Sequence, residues 1–251
     1  MIDLDENYQN LTKKERRELG RQKREPESMQ YNRRRAKKRA ILWLGIIALI
    51  GGAVFGMIKL AGRTPASQTA LLASAVSASD WIRGNRDSKV VLVEYSDFQC
   101  PACKIFYSLL KDIQGKYGDK LELVYRNFPL SYHADAMLAA QAAGAAGKQG
   151  KFWEMHDMLF ENQDIWAGQS NADAMKTFTS YALALDLNID QFKNDLNSTE
   201  IKVKIEDDSQ GGIESGIDAT PTFFLNGEKL PPPTSYGDFE NTIVQAINAN
   251  P

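Results

Sequence analysis

Between residues 89 and 127 an apolar run, a helix pattern opened by two cysteines and a second apolar run follow one another. This order constrains the fold more than any other feature of the chain. Lys89-Val90-Val91-Leu92-Val93-Glu94-Tyr95 is short and β-branched and predicts a buried strand. Residues 101–117 place Ile105, Phe106, Leu109, Leu110, Ile113 and Tyr117 at helical spacing. Pro101 suits the first turn of that helix, where a missing N–H costs nothing, and Gly118-Asp119 stops it. Leu121 to Asn127 predicts a second strand. A helix between two such strands predicts a parallel pair joined by a right-handed crossover.

Beyond this βαβ unit the character changes. Residues 133–216 hold almost no β-branched clusters and predict helices over 134–146, 151–162, 171–185, 190–197 and 199–216. Strand character returns at Thr222-Phe223-Phe224-Leu225, and Asn226-Gly227 predicts a hairpin turn into a short strand at 228–230. A closing helix over 235–249 carries Phe239, Ile243, Val244 and Ile247 on one face. The expected class is α/β, laid out as βαβ, a helical block, then ββα.

Ahead of the domain, Ile41 to Ile58 is a run of 18 residues without a charge. As a helix it would cover about 27 Å, close to the hydrocarbon thickness of a bilayer. Residues 1–40 carry 13 Lys+Arg against 7 Asp+Glu, a net of +6, whereas the remainder carries 17 against 25, a net of −8. The basic cluster 33–39 directly precedes the apolar run, so the positive-inside rule leaves the N-terminus cytoplasmic and exports the rest. A secretory signal fits less well, because its apolar core is about 7–15 residues long. A buried soluble helix fits poorly, because the run has no polar face. The organisation expected is a basic cytoplasmic tail over 1–40, an anchor over 41–61, a spacer over 62–80 and a domain over 81–251 whose helical insertion spans about 131–216. Leu71 and Leu72 leave room for a short segment of the spacer to dock on the domain. The basic run is read as a topology determinant that meets anionic lipid, and no nucleic-acid partner is expected.

The chemistry centres on Cys100-Pro101-Ala102-Cys103, the only two cysteines of the chain. Cys100 falls between a buried strand and a helix N-terminus, where free N–H groups and the helix dipole favour an anion. Thiol pKa values in such settings fall to about 3.5–7.5. Cys103 lies one helical turn on, so both sulfurs can close a small ring. Cys100 is read as the nucleophile and Cys103 as the resolving thiol. A zinc site would need four ligands, and His133 and His156 are not at ligand spacing. A purely structural disulfide across four residues would close little chain. The acid run Glu206-Asp207-Asp208 is read as a solvated helix face, and His156 as a packing or helix-surface residue. No metal or cofactor is implied. Two residues stay open on this evidence. Glu94, six residues before Cys100, is either a solvent-facing acid at a sheet edge or a buried acid that relays a proton to the dithiol. Pro221 is either a trans proline opening an edge strand or a cis proline beside a substrate.

Glu94, Cys100-Pro101-Ala102-Cys103 and Thr220-Pro221, in this order, resemble the thioredoxin superfamily. The helical block between the second strand and the Thr-Pro strand is similar to that of the DsbA-type thiol:disulfide oxidoreductases. Asn127-Phe128-Pro129-Leu130 and Gly150-Lys151-Phe152-Trp153-Glu154-Met155-His156 resemble the membrane-tethered bacterial branch. The resemblance covers about residues 80–250. It implies a thioredoxin fold with a helical insertion, a buried Glu94, a cis Pro221 against the dithiol, and a substrate groove around Pro101, Ala102, Thr220, Pro221 and Cys100. It departs at Ala102, where the best-known periplasmic oxidases carry a histidine that stabilises the thiolate. The expectation is therefore a smaller pKa depression and a less oxidising disulfide. The activity implied is disulfide formation in exported proteins, with a membrane or extracytoplasmic redox partner. The alternatives are a reductase or isomerase with reversed electron flow, and a non-catalytic client-binding module.

Overall fold

In the computed structural model, residues 70–233 and 235–250 are described, together with Thr12 and Lys14. The anchor expected over 41–61 and the tail over 1–40 lie outside the described residues. Among those described, no helix is long and apolar enough to cross a membrane.

Five strands form one sheet: β1 (Trp81–Gly84), β2 (Val91–Ser96), β3 (Glu122–Asn127), β4 (Thr222–Leu225) and β5 (Glu228–Lys229), in the order β1-β3-β2-β4-β5. β2 and β3 run parallel, with Glu94 opposite Tyr125, and α1 (Pro101–Tyr117) is the crossover between them. The other pairings are antiparallel. At the β4–β5 turn both Asn226 (φ 51°) and Gly227 (φ 86°) are left-handed, as a two-residue hairpin requires. β1 was absent from the sequence reading: four residues, Trp-Ile-Arg-Gly, three half-buried and one exposed, are too short to show a period of two.

Between β3 and β4 stand α2 (Ala136–Gly147), α3 (Phe152–Glu161), α4 (Gln163–Trp166), α5 (Asn171–Ala184), α6 (Ile189–Leu196) and α7 (Thr199–Glu214), and α8 (Tyr236–Ala249) closes the fold. The insertion is therefore the helical block expected, with one extra turn, α4, set off from α3 at Asn162. Alanine and glycine let α2 pack closely against its neighbours, with eight of its twelve residues buried. A Cβ on Gly147 would come within 2.3 Å of the Trp81 ring. Trp81 in turn stacks on Phe152 at 4.1 Å between centroids.

Strand alternation sends Leu92, Leu123 and Phe223 to the face covered by α1 and α8, against Leu110, Ile113, Phe239 and Ile243. Val93, Tyr95, Val124 and Phe224 face the other way, against Phe128, Leu130 and Ile217.

Residues 70–80 are not a free spacer. Lys229 donates its N–H to the Ala70 carbonyl, and Leu72 N–H donates to the Gly227 carbonyl. Arg126, 3% exposed, then clamps the segment: its guanidinium donates to both carboxylate oxygens of Asp80 (3.0 and 2.9 Å), to the carbonyls of Ser74 and Ala75, and to the Tyr95 hydroxyl. The acid run on α7 also departs from its reading. Asp208 is buried, receives the Asn127 backbone and side-chain N–H groups at 3.1 and 2.9 Å, and pairs with Lys204. A four-residue helical period turns Asp208 inward while Glu206 and Asp207 stay exposed.

Removing one member of a buried ion pair leaves the other unpaired and costs about 3–5 kcal/mol. Arg126→Ala is expected to lower unfolding stability by about that amount in denaturant titration. It should also open residues 70–80 to limited proteolysis.

Candidate active site

β2 is the central strand, so its C-terminal end delivers residues to the middle of the domain. Glu94 and Ser96 lie two apart on the face that α1 covers, 3% and 1% exposed. The Ser96 hydroxyl donates to Glu94 Oε1 at 2.7 Å. The connection 97–99 is held from both sides. Asp97 accepts the Gln99 N–H at 2.7 Å and the Leu130 N–H at 2.8 Å, and its Oδ2 lies 2.7 Å from His133 Nδ1. Gln99 donates to the Ala167 carbonyl and accepts the Asp135 N–H, both at 2.7 Å. Gln163 of α4 donates to the carbonyls of Phe98 (2.7 Å) and Cys100 (3.0 Å).

Cys100 is the N-cap of α1, in extended conformation, with Pro101 in the first turn. Its Sγ lies 3.4 Å from the Thr220 carbonyl oxygen. The Thr220-Pro221 peptide bond is cis. Cys100 is 6% exposed and Cys103 0%, and both are free thiols. Pro101 and Ala102 are exposed beside them, Thr220 is buried and Pro221 half-buried. Of the residues singled out from the sequence, the structure thus brings Thr220, with Pro221 next to it in the chain, to the Cys100 sulfur.

The two thiols are driven in opposite directions. The Cys100 pKa is pulled down to about 5, chiefly by hydrogen bonding from the Cys103 thiol, against burial, and with help from the N–H groups of Cys103 and Ala102 and from Thr220. These are the free donors of a helix N-terminus. Cys103 is pushed up by burial, by its bond to Cys100 and by the charge of Glu94. Glu94 is raised to about 7, first by burial, against the Ser96 hydrogen bond, and further by the Cys100 charge. Cys100, next to the exposed Pro101 and Ala102, thus favours the thiolate, whereas the deeper Cys103 favours the thiol.

A sequence model described as Thioredoxin matches residues 77–245. The chain belongs to the thioredoxin family. Its fold is the DsbA-like form of that superfamily. The solved structure of oxidised BdbD from Bacillus subtilis has a TM-score of 0.61 at 24% identity, covering 71% of this chain and 98% of that one. That of alpha-DsbA1 from Wolbachia pipientis has 0.62 at 25% identity, covering 70% and 94%. Among curated proteins the chain is 38% identical over 153 residues to the Na(+)/H(+) antiporter NhaA 1 of Mycolicibacterium vanbaalenii, covering 59% of this chain and 23% of that protein. The chain spans about a quarter of the length of the curated relatives it matches.

Within this thioredoxin-family site several residues carry no signal in the sequence. Ser96 lies two residues after Glu94 on the same buried strand and donates to it, and only the fold brings Gln163 to the Cys100 carbonyl. His156 is buried among Phe98, Tyr107, Tyr125, Trp153 and Phe160, and burial lowers its pKa, so the imidazole is neutral. Among the described residues no group of three or more His, Cys, Asp or Glu is placed to hold a metal ion.

Two measurements follow. Alkylation of the reduced protein by iodoacetamide is expected to label Cys100 alone, with a rate rising through a midpoint near pH 5. Glu94 has a folded pKa above its usual value, so its contribution to stability is lost as pH rises from about 4.5 through about 7. Glu94→Gln should therefore stabilise the reduced protein at pH 8 relative to pH 4, on the order of 2–3 kcal/mol in denaturant titration.

Proposed function

We propose that the chain is a membrane-anchored thiol:disulfide oxidoreductase that introduces disulfides into exported proteins through Cys100 and Cys103. The observation that carries the reading is the split between the two thiols: a thiolate-favouring Cys100 at the α1 N-terminus and a buried Cys103 held as thiol. In the oxidised protein a substrate thiolate attacks Cys100 Sγ. The Cys100–Cys103 bond breaks, a substrate–Cys100 disulfide forms, and Cys103 leaves with the electron pair and takes up a proton. A second substrate thiolate then displaces Cys100, which departs readily because its thiolate is stable. The substrate gains one disulfide, and the dithiol holds two electrons for a redox partner in the membrane or outside the cell to remove.

Pro101, Ala102, Thr220 and Pro221 border the Cys100 sulfur and form the surface a substrate strand would meet, where backbone pairing beside the sulfur could position a peptide. The polarity of residues 33–58 supports a single span with the N-terminus cytoplasmic, the lipid bilayer as its matrix and the domain extracytoplasmic. The proposed division is a tail over 1–40, an anchor over 41–61, a connecting segment over 62–80 whose residues 70–80 pack on the domain, and the catalytic domain over 81–251.

Cys100→Ser is expected to abolish oxidation of a reduced substrate protein, whereas Cys103→Ser should accumulate substrate–enzyme mixed disulfides on non-reducing gels. Failure to trap any substrate with the second variant would overturn the reading. Equilibration with glutathione sets the direction of electron flow. A potential of about −120 to −180 mV fits disulfide donation, and one of about −270 mV fits a reductase.

A further inference from the structure

We propose that Gln163 of the helical insertion is a positioning residue for the dithiol: its side-chain amide holds Cys100 in place as the N-cap of α1 and so sets how oxidising the disulfide is. The inference rests on the thiol–disulfide reading above and deepens it. α1 begins without the usual oxygen cap. An N-cap is ordinarily Ser, Thr, Asn or Asp, whose side-chain oxygen accepts an N–H of the first turn and so fixes the helix start. Here the cap residue is Cys100, followed by Pro101, which has no N–H. A thiol is a weak acceptor, so the cap residue does little to fix itself. The turn is held from outside instead. Gln163 Nε2 donates to the Phe98 carbonyl at 2.7 Å and to the Cys100 carbonyl at 3.0 Å. One amide group thus ties together the two carbonyls on either side of Gln99. Gln163 is 3% exposed, so water does not compete for these bonds.

Within the turn, the Cys100 N–H goes to the Asp97 carbonyl at 3.1 Å, and the Cys100 carbonyl takes the Lys104 N–H at 3.2 Å. Gln163 supplies the bond to that carbonyl that comes from outside α1. The link is reciprocal, because the Gln99 side chain donates to the Ala167 carbonyl, one residue past α4, at 2.7 Å. α4 is itself fixed to α3 by the buried Trp166, whose indole N–H donates to the Leu159 carbonyl at 2.8 Å. Fixing the Cys100 carbonyl fixes the rotation of that residue against the first turn of α1. A helix start favours an anion only at a held position, since the effect falls off within one turn. A residue moves a redox equilibrium only by acting differently on the two states. The helix start stabilises a Cys100 thiolate and gives the uncharged disulfide no such help. Without Gln163 the thiolate loses part of this stabilisation, and the disulfide becomes less oxidising. The titratable groups acting on Cys100 are Cys103 from α1 and Glu94 from β2. Lys104 of α1 and Asp164 of α4 pair with each other, and Asp97 is engaged by Gln99, Leu130 and His133. The segment before β4 offers the Thr220 carbonyl, which does not titrate.

The experiment uses the full chain in detergent micelles and takes two readings: the pH midpoint of Cys100 alkylation by iodoacetamide, and the equilibrium constant with glutathione at pH 7. Gln163→Met keeps the length and the burial of the side chain and removes both donors. It is expected to raise the midpoint by about one unit. It should also shift the glutathione equilibrium about tenfold in favour of the protein disulfide, about 30 mV toward a more negative potential. Gln163→Glu keeps the shape but, as a carboxylate, turns acceptors toward the two carbonyls, and it should move both readings the same way. Trp166→Phe is the structural control. It removes the indole bond that fixes α4 and leaves Gln163 in the chain, so it should lower Tm without moving either reading. If Gln163→Met does not unfold cooperatively, Gln163→Glu carries the comparison. Readings unchanged in the Gln163 variants, or moved as far by Trp166→Phe, would overturn the positioning role while leaving the activity standing. A wild-type chain that reaches no dithiol–disulfide equilibrium with glutathione would overturn the functional reading and this role together.

Discussion

A sulfur anion can persist at neutral pH at the start of α1 because a helix begins there with its N–H groups unspent. The backbone N–H groups of Ala102 and Cys103 lower the Cys100 pKa, and hydrogen bonding with the Cys103 thiol lowers it most. The same helix carries the second sulfur one turn inward, to a position with no solvent exposure, where burial opposes ionisation. Two identical side chains three residues apart thus become a good leaving group and a poor one. Their order in the chain decides which sulfur meets substrate, because only the residue outside the first turn remains at the rim.

That arrangement depends on how firmly the end of β2 is held. The connection 97–99 makes few bonds to the sheet and many to other segments: Asp97 to Leu130 and His133, Gln99 to Ala167 and Asp135, and Gln163 to the carbonyls on either side of Gln99. The helical insertion is therefore part of the site. It buries Cys103 and the rings around Tyr125, and it removes the water that would otherwise lower the Glu94 pKa. α2 makes this possible because a stretch of alanine and glycine brings neighbouring helices close.

The opposite face of the sheet is organised around a different charge. Arg126 binds Asp80 and the backbone of residues 74 and 75, with Tyr95 on one side, while Lys204 lies 3.6 Å from Asp80 and also pairs with Asp208. Burying so many ions is costly unless every donor finds an acceptor. Here the guanidinium spends all three of its nitrogens on the segment that leads into the domain. Residues 70–80 consequently belong to the folded unit, although their Ala- and Ser-rich composition resembles that of a linker.

The order of elements, the parallel β2–β3 pair, the hairpin at Asn226-Gly227 and the placing of Cys100 at a helix start were all legible in the sequence, since each follows from local periodicity or from a residue with a narrow conformational range. Strand β1 and helix α4 were not, because four residues are too few to display a period. For Glu94 the chain alone left two environments open, and burial at 3% on the central strand chose between them. Asp208 and Gln163 carry no local mark of their bonds to Asn127 and to the Phe98 and Cys100 carbonyls, for these partners lie on other segments. What the sequence by itself determined is which groups could do redox chemistry and on which elements they ride. Only the tertiary structure decided their pKa values and their hydrogen-bond partners, because desolvation and proximity are properties of the packed molecule and not of a residue's neighbours in the chain.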